Sequence, residues 1–117
     1  MNLSWHLECT LCAQKYSGME PRYRCECGGV LDVIHELDAL RKTVSRELFD
    51  ERLKNKNILD KSGVWRFREM VLPVDESLMA SRPEGNTNLY ETSQLADFTG
   101  TQRVWLKHEG ENPTGSF

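Results

Sequence analysis

The chain has 117 residues, of which 38% are hydrophobic and 28% charged, with a formal net charge of −3. That length suits one small domain or two very small ones. The balance excludes a spanning segment of roughly 20 apolar residues. Charges of both signs are interspersed, so the basic patch of a nucleic-acid binder is missing and neither nucleic acid nor membrane is an expected partner.

The opening residues, Met1-Asn2-Leu3-Ser4-Trp5-His6, carry neither the basic nor the apolar region of a secretory signal. A cytoplasmic, reducing location is the expectation, and there cysteines serve as metal ligands or free thiols rather than disulfides. All four cysteines lie in the first 34 residues, as Cys9-x2-Cys12 and Cys25-x-Cys27. Two close pairs on facing turns offer four thiolates in a tetrahedron, the layout of a zinc ribbon. Such a short segment cannot bury enough apolar surface to fold alone, and structural zinc can supply the missing free energy. Gly28-Gly29 gives a turn. Tyr23-Arg24 and Val30 to Ile34 read as strands, and Tyr16, Tyr23 and Leu31 as padding. C-x-C is a tighter turn than C-x2-C, Ala13 stands where many such knuckles carry glycine, and His6 and His35 are substitute ligands if one thiol falls out of reach. Without metal, the four are ordinary thiols.

From His35 to Asn57 the recurrence of Leu37, Leu40, Val44 and Leu48 predicts one helix whose apolar stripe packs on a core. Val64 to Pro73 follows, with Trp65 and Phe67 alternating with Arg66 and Arg68. This reads as an extended aromatic-faced segment or a single helical turn. Residues 74–88 have the composition of a linker. Leu89-Tyr90 is extended, Ser93 to Phe98 is a helix capped by Thr92 or Ser93 and ended by Gly100, and Val104 to Lys107 is a strand. The polar stretch Gly110 to Phe117 then leads toward a helix start, with Thr114 or Ser116 placed to cap it. As an isolated unit, the strand at Val104 has no evident pairing partner.

Four segments carry a resemblance. Lys107-His108-Glu109-Gly110-Glu111-Asn112-Pro113-Thr114-Gly115-Ser116-Phe117 is similar to the stretch that, in threonine synthases, runs into the lysine bearing pyridoxal phosphate. Glu84-Gly85-Asn86-Thr87-Asn88-Leu89-Tyr90 resembles the family's E-G-N-T-P-L-Y, with Asn88 in place of proline. Ser62 to Glu69 resembles its S-G-x-W-R segment, and the cysteine pairs resemble a zinc-ribbon-like extension found in a subset of the family.

The resemblance implies an α/β architecture of the fold-type II pyridoxal-phosphate class, preceded by a small zinc-ribbon-like β module and a linking helix. The expected divisions are residues 1–34, 35–73 and 74–117. It implies Cys9, Cys12, Cys25 and Cys27 as metal ligands, and Thr87, Thr114, Gly115, Ser116 and Phe117 beside the cofactor. The family's cofactor lysine would follow Phe117, and Lys107 does not replace it. The implied whole-enzyme reaction is O-phosphohomoserine plus water to threonine plus phosphate, with a phosphorylated amino acid as the small-molecule partner. The 117 residues alone are expected to be inactive, and self-association is not readable from them. A related enzyme such as cysteate synthase, or a stand-alone zinc-ribbon module that binds a protein, are the other readings.

Overall fold

The computed structural model describes residues 5–113 and 115. Strands β1 (Trp5–Cys9), β2 (Lys15–Ser17) and β3 (Leu31–His35) form an antiparallel sheet in the order β2-β1-β3. Leu7 pairs with Tyr16 on one side and Val33 on the other. In β1 the apolar residues Trp5, Leu7 and Cys9 are buried while His6 and Glu8 are half-exposed, the period-2 pattern of a half-buried strand. Tyr23-Arg24 is not a strand. It belongs to an irregular crossing, and Tyr23 is 94% exposed, so it pads nothing.

The helix expected over 35–57 is broken in two: α1 (Leu37–Leu40) and α2 (Arg46–Leu53). Two local preferences defeat the periodicity. Thr43 and Val44 are β-branched and poor helix formers. Ser45 is extended, and its hydroxyl accepts the Leu48 N–H at 3.2 Å, starting a new helix as an N-cap. The apolar stripe does not form a core either. Leu37 is 62% exposed, Leu40, Val44 and Leu48 are only half-buried, and the residue that α2 buries is Arg52.

Next come α3 (Ile58–Lys61), a 3₁₀ turn at Trp65–Phe67 and α4 (Arg68–Val71). The aromatic segment is thus helical, and the ring of Phe67 meets that of Phe49 edge-on at 4.9 Å between centroids. Leu72, Val74 and Leu78 form one wall of a groove whose other wall is Trp5, Leu7 and Val33.

Strands β4 (Leu89–Glu91) and β5 (Trp105–Lys107) pair antiparallel, so the strand near Val104 does find a partner. Between them runs α5 (Ser93–Thr99), capped by Thr92 and closed by Gly100 in the left-handed region, as the sequence predicts. A last 3₁₀ turn covers Glu109–Glu111.

The chain is extended. Its radius of gyration is 18.7 Å, against about 13 Å for a compact domain of this length. Its accessible surface is 8810 Å², against about 6,500 Å² for a compact monomer of this mass. Among the described residues the buried apolar side chains are few, chiefly Trp5, Leu7, Leu59 and Ala96 besides two cysteines. None of the described helices is long and apolar enough to cross a membrane.

Candidate functional site

The two cysteine pairs converge. Cys9 and Cys12 flank the turn after β1, and Cys25 and Cys27 sit on the turn before β3. Their four sulfurs all lie within 4.8 Å of one another, with separations of 3.6 Å for Cys9–Cys27 and 3.5 Å for both Cys12–Cys25 and Cys12–Cys27. These are free thiols, since a disulfide would bring two sulfurs to about 2.05 Å. Such a cluster is compatible with a metal ion held in a zinc-ribbon-like β module. Cys9 and Cys25 are buried, Cys12 and Cys27 exposed. His6 is not in the cluster; its Nε2 lies 3.3 Å from Glu8 Oε2.

Local backbone shapes the site. The Leu11 N–H points at Cys9 Sγ from 3.4 Å, and the Tyr16 hydroxyl lies 3.1 Å from Cys25 Sγ. Tyr16 is therefore a polar support and not merely padding. Gly29 is required by crowding: a Cβ there would sit 2.6 Å from Cys9 Sγ.

Ala13 lies in the left-handed region, with φ 59°, where an L side chain is strained. Ala13→Gly is expected to stabilise the metal-loaded module by about 0.5–1 kcal/mol, because relief of that strain exceeds the added freedom of the unfolded chain. Thermal unfolding of the loaded chain checks this.

The thiols do not ionise alike. The Tyr16 hydrogen bond, aided by the backbone at Cys27, holds Cys25 down at about 6. Backbone N–H groups of Cys12 and Leu11 lower Cys9. At Cys12 the Gln14 backbone lowers the value, but the crowding thiols of Cys25, Cys27 and Cys9 push it up to about 12. Four thiolates this close repel one another unless a cation sits among them. A bound metal overrides that order, because a coordinating thiol is deprotonated outright.

A second constellation joins the three other segments singled out in the sequence. The Ser62 hydroxyl donates to the Glu84 carboxylate and accepts the N–H groups of Val64 and Trp65 at 3.0 and 2.9 Å. Gly63 donates its N–H to the Glu84 carbonyl. Gly63 and Gly85 approach so closely that a Cβ on either would lie 2.8 Å from the other's Cα. Gly85 N–H then donates to Asn112 Oδ1 at 2.8 Å, and the buried Thr87 hydroxyl to Glu109 Oε1 at 2.8 Å. Residues 84–88, which have a linker's composition, are thus a hub. Of the residues expected beside a cofactor, Thr87 lies in this hub. Gly115 is nearby in chain, with φ 62° and its N–H on the Asn112 carbonyl at 2.9 Å. Thr114, Ser116 and Phe117 lie outside the described residues.

Sequence reading missed Ser62, Glu84, Glu109 and Asn112 as structural partners. The available signal was the density of acceptor side chains within Glu109–Asn112, close after a strand.

No family model matches the chain. It is 38% identical to threonine synthase of Methanocaldococcus jannaschii over 109 residues, which is 93% of this chain and 25% of that protein. It is 36% identical to threonine synthase of Methanosarcina acetivorans over 114 residues, 97% of this chain and 25% of that one. Over nearly its whole length the chain is thus similar to threonine synthases. The chloroplastic threonine synthase 2 of Arabidopsis thaliana is 38% identical over 109 residues, covering 89% of this chain and 21% of the plant protein. The chain spans about a quarter of the length of the curated threonine synthases it matches.

Proposed function

We propose that this chain is the zinc-bearing, cofactor-approaching part of a fold-type II, pyridoxal-phosphate-dependent threonine synthase, which converts O-phosphohomoserine and water to threonine and phosphate. The observation that carries the reading is the match to threonine synthases over nearly all of the chain.

Zinc is the metal that fits the donor set. Four thiolates around a tetrahedral ion with bonds of about 2.3 Å stand roughly 3.8 Å apart, and three of the sulfur pairs lie at 3.5–3.6 Å. With all four positions filled by protein, the ion is structural. Residues 1–34 form its module, 35–73 the linking segment, and 74–117 the start of the catalytic lobe.

Pyridoxal phosphate, when bound, supplies an electron sink. The described residues offer it no ready phosphate cradle: the Thr87 hydroxyl is given to Glu109 and the Gly115 N–H to Asn112. Their part in the reading is to shape the approach to the cofactor, and the substrate-phosphate ligands belong to other parts of the enzyme.

A chimera tests the whole-enzyme reading. This chain is fused in place of the matching quarter of the Methanocaldococcus jannaschii enzyme and assayed for phosphate release from O-phosphohomoserine. Turnover is expected. A folded, zinc-loaded chimera with no release above background overturns the reading and leaves a metal-binding module or a related enzyme such as cysteate synthase.

A further inference from the structure

Three residues of one short turn each take a hydrogen bond from one short segment. Asn112 Oδ1 accepts the Gly85 N–H at 2.8 Å, Glu109 Oε1 the Thr87 hydroxyl at 2.8 Å, and Glu111 Oε2 the Asn88 N–H at 3.0 Å. Glu111 also receives the Asn88 side-chain amide at 3.0 Å and the Tyr90 hydroxyl. Behind them Lys107 Nζ donates to the Thr87 carbonyl, and the His108 N–H reaches the Asn88 carbonyl at 3.3 Å. These contacts continue the β4–β5 pairing past its last rung, Leu89 with Lys107, by one backbone bond and then chiefly through side chains.

We infer that Glu109, Glu111 and Asn112 are positioning residues that act through Gly85, Thr87 and Asn88 to fix the loop carrying Pro113 and Gly115. The inference rests on the proposed function for what that loop approaches.

The chemistry favours such a role. A 3₁₀ turn of three residues has poor internal hydrogen-bond geometry and holds its shape weakly. Carboxylate acceptors make stronger, shorter bonds than neutral ones. Donors at Gly85, Thr87 and Asn88 sit on a segment itself anchored to Ser62 through Glu84, and to Lys61 by the Asn86 side chain at 2.7 Å. The turn is thereby referenced to the helical segment rather than to solvent. Asn88 adds a feature particular to this chain. Where the family resemblance has proline, no N–H exists to donate. Here asparagine gives up the fixed φ and supplies two donors to Glu111 instead.

The test uses the full zinc-loaded chain first. Amide exchange at Gly85, Asn88 and Gly115 is followed by nuclear magnetic resonance in wild type, Thr87→Val, Thr87→Ser and Asn112→Ala. The inference predicts protected amides in wild type, and roughly tenfold faster exchange at Gly115 in Thr87→Val and Asn112→Ala, the loss of about one good polar contact. Thr87→Ser should restore protection, and amides of β1 and β3 should not respond. Unprotected Gly85 and Asn88 in wild type, or Gly115 exchange that ignores Thr87→Val, overturns the clamp.

In the active chimera the same variants are read kinetically. Displacing a reacting group by about 1 Å can cost on the order of 100-fold, so Thr87→Val should lower kcat by tenfold or more with KM little changed, and Thr87→Ser should recover it. An inactive parent chimera counts against the proposed function, while the exchange data decide the clamp separately. An active chimera with unchanged kcat in Thr87→Val counts against the clamp.

Discussion

Stripping the metal from the zinc-loaded chain with a strong chelator is expected to unfold residues 5–35 and to leave the helical segment from Arg46 to Val71 largely intact. The reason is the meagre core of the three-stranded sheet. Trp5 and Leu7 are its buried apolar side chains apart from the candidate ligands Cys9 and Cys25, and burying such a residue contributes only about 1.5–3 kcal/mol. Ordering each backbone residue costs about 1–2 kcal/mol, so those few side chains cannot hold thirty residues. Binding of structural zinc by four thiolates is worth on the order of 10–16 kcal/mol at neutral pH, enough to reverse the balance. Trp5, 3% exposed, reports the change, because its fluorescence shifts to the red on reaching water. Cys25→Ser should abolish tight binding, since it removes both a buried ligand and the thiol supported by Tyr16. Affinity should also fall as pH drops from 8 to 6, because each thiol must lose its proton to coordinate: Cys25, held down at about 6, has least to give up, whereas Cys12, pushed up to about 12, must release a proton on binding throughout that range. A chain that keeps its sheet and buried Trp5 in excess chelator refutes this account.

Legibility in the sequence followed the range of the physics involved. The four-cysteine cluster could be read because each pair is local and thiol spacing constrains a turn directly. The cap of α5 by Thr92 and its end at Gly100 are likewise local rules. β1 is legible in principle, since Trp-His-Leu-Glu-Cys alternates apolar and polar residues, but five residues running into a cysteine turn are a short signal. The long helix failed because its periodicity outran its propensities: Thr43, Val44 and the Ser45 cap favour a break that spacing alone does not register. The partnership of residues 84–88 with 109–112 bridges more than twenty positions, and nothing in a linker-like composition announces it. The burial of Arg52 and Asp60 was invisible for a different reason. Charged residues default to the surface, and only pairing, of Arg52 with Glu69 and of Asp60 with Arg68, permits the exception.

That exception sets the second large effect: Arg52→Ala costs about 3–5 kcal/mol, the range for breaking a buried ion pair and leaving its partners uncompensated. Arg52 is 8% exposed and grips both oxygens of Glu69, with Nη1 to Oε2 at 2.8 Å, while also donating to the Arg66 carbonyl at 2.6 Å. Asp60, 4% exposed, takes the Arg68 guanidinium and the Asn55 amide, each at 2.8 Å, and Arg68 reaches on to Glu76 at 2.8 Å. One network therefore ties α2, α3, α4 and the turn at Glu76–Leu78 together, where apolar burial is thin. The control is Arg46→Ala, which loses only the exposed pair with Asp50 at 3.8 Å and should cost less than about 0.5 kcal/mol. Arg52→Lys should fall between, since a point charge cannot span the two Glu69 oxygens and the carbonyl at once.

The pH dependence has a definite sign. The Arg52 guanidinium holds the Glu69 carboxyl below its ordinary value. Burial pushes Asp60 up, but the Asn55 and Arg68 hydrogen bonds outweigh it and leave it lowered. Folded values below unfolded ones mean stability that is complete above the ordinary carboxylate range of about 4 and lost as pH falls through the lowered values. The urea midpoint of the helical signal should therefore hold from pH 7 to 5 and drop toward pH 3 in wild type, with a shallower drop in Arg52→Ala. Equal midpoints for Arg52→Ala and Arg46→Ala would show that the buried charges only offset their own desolvation, and that Leu59 and the Phe49–Phe67 contact hold the segment without them.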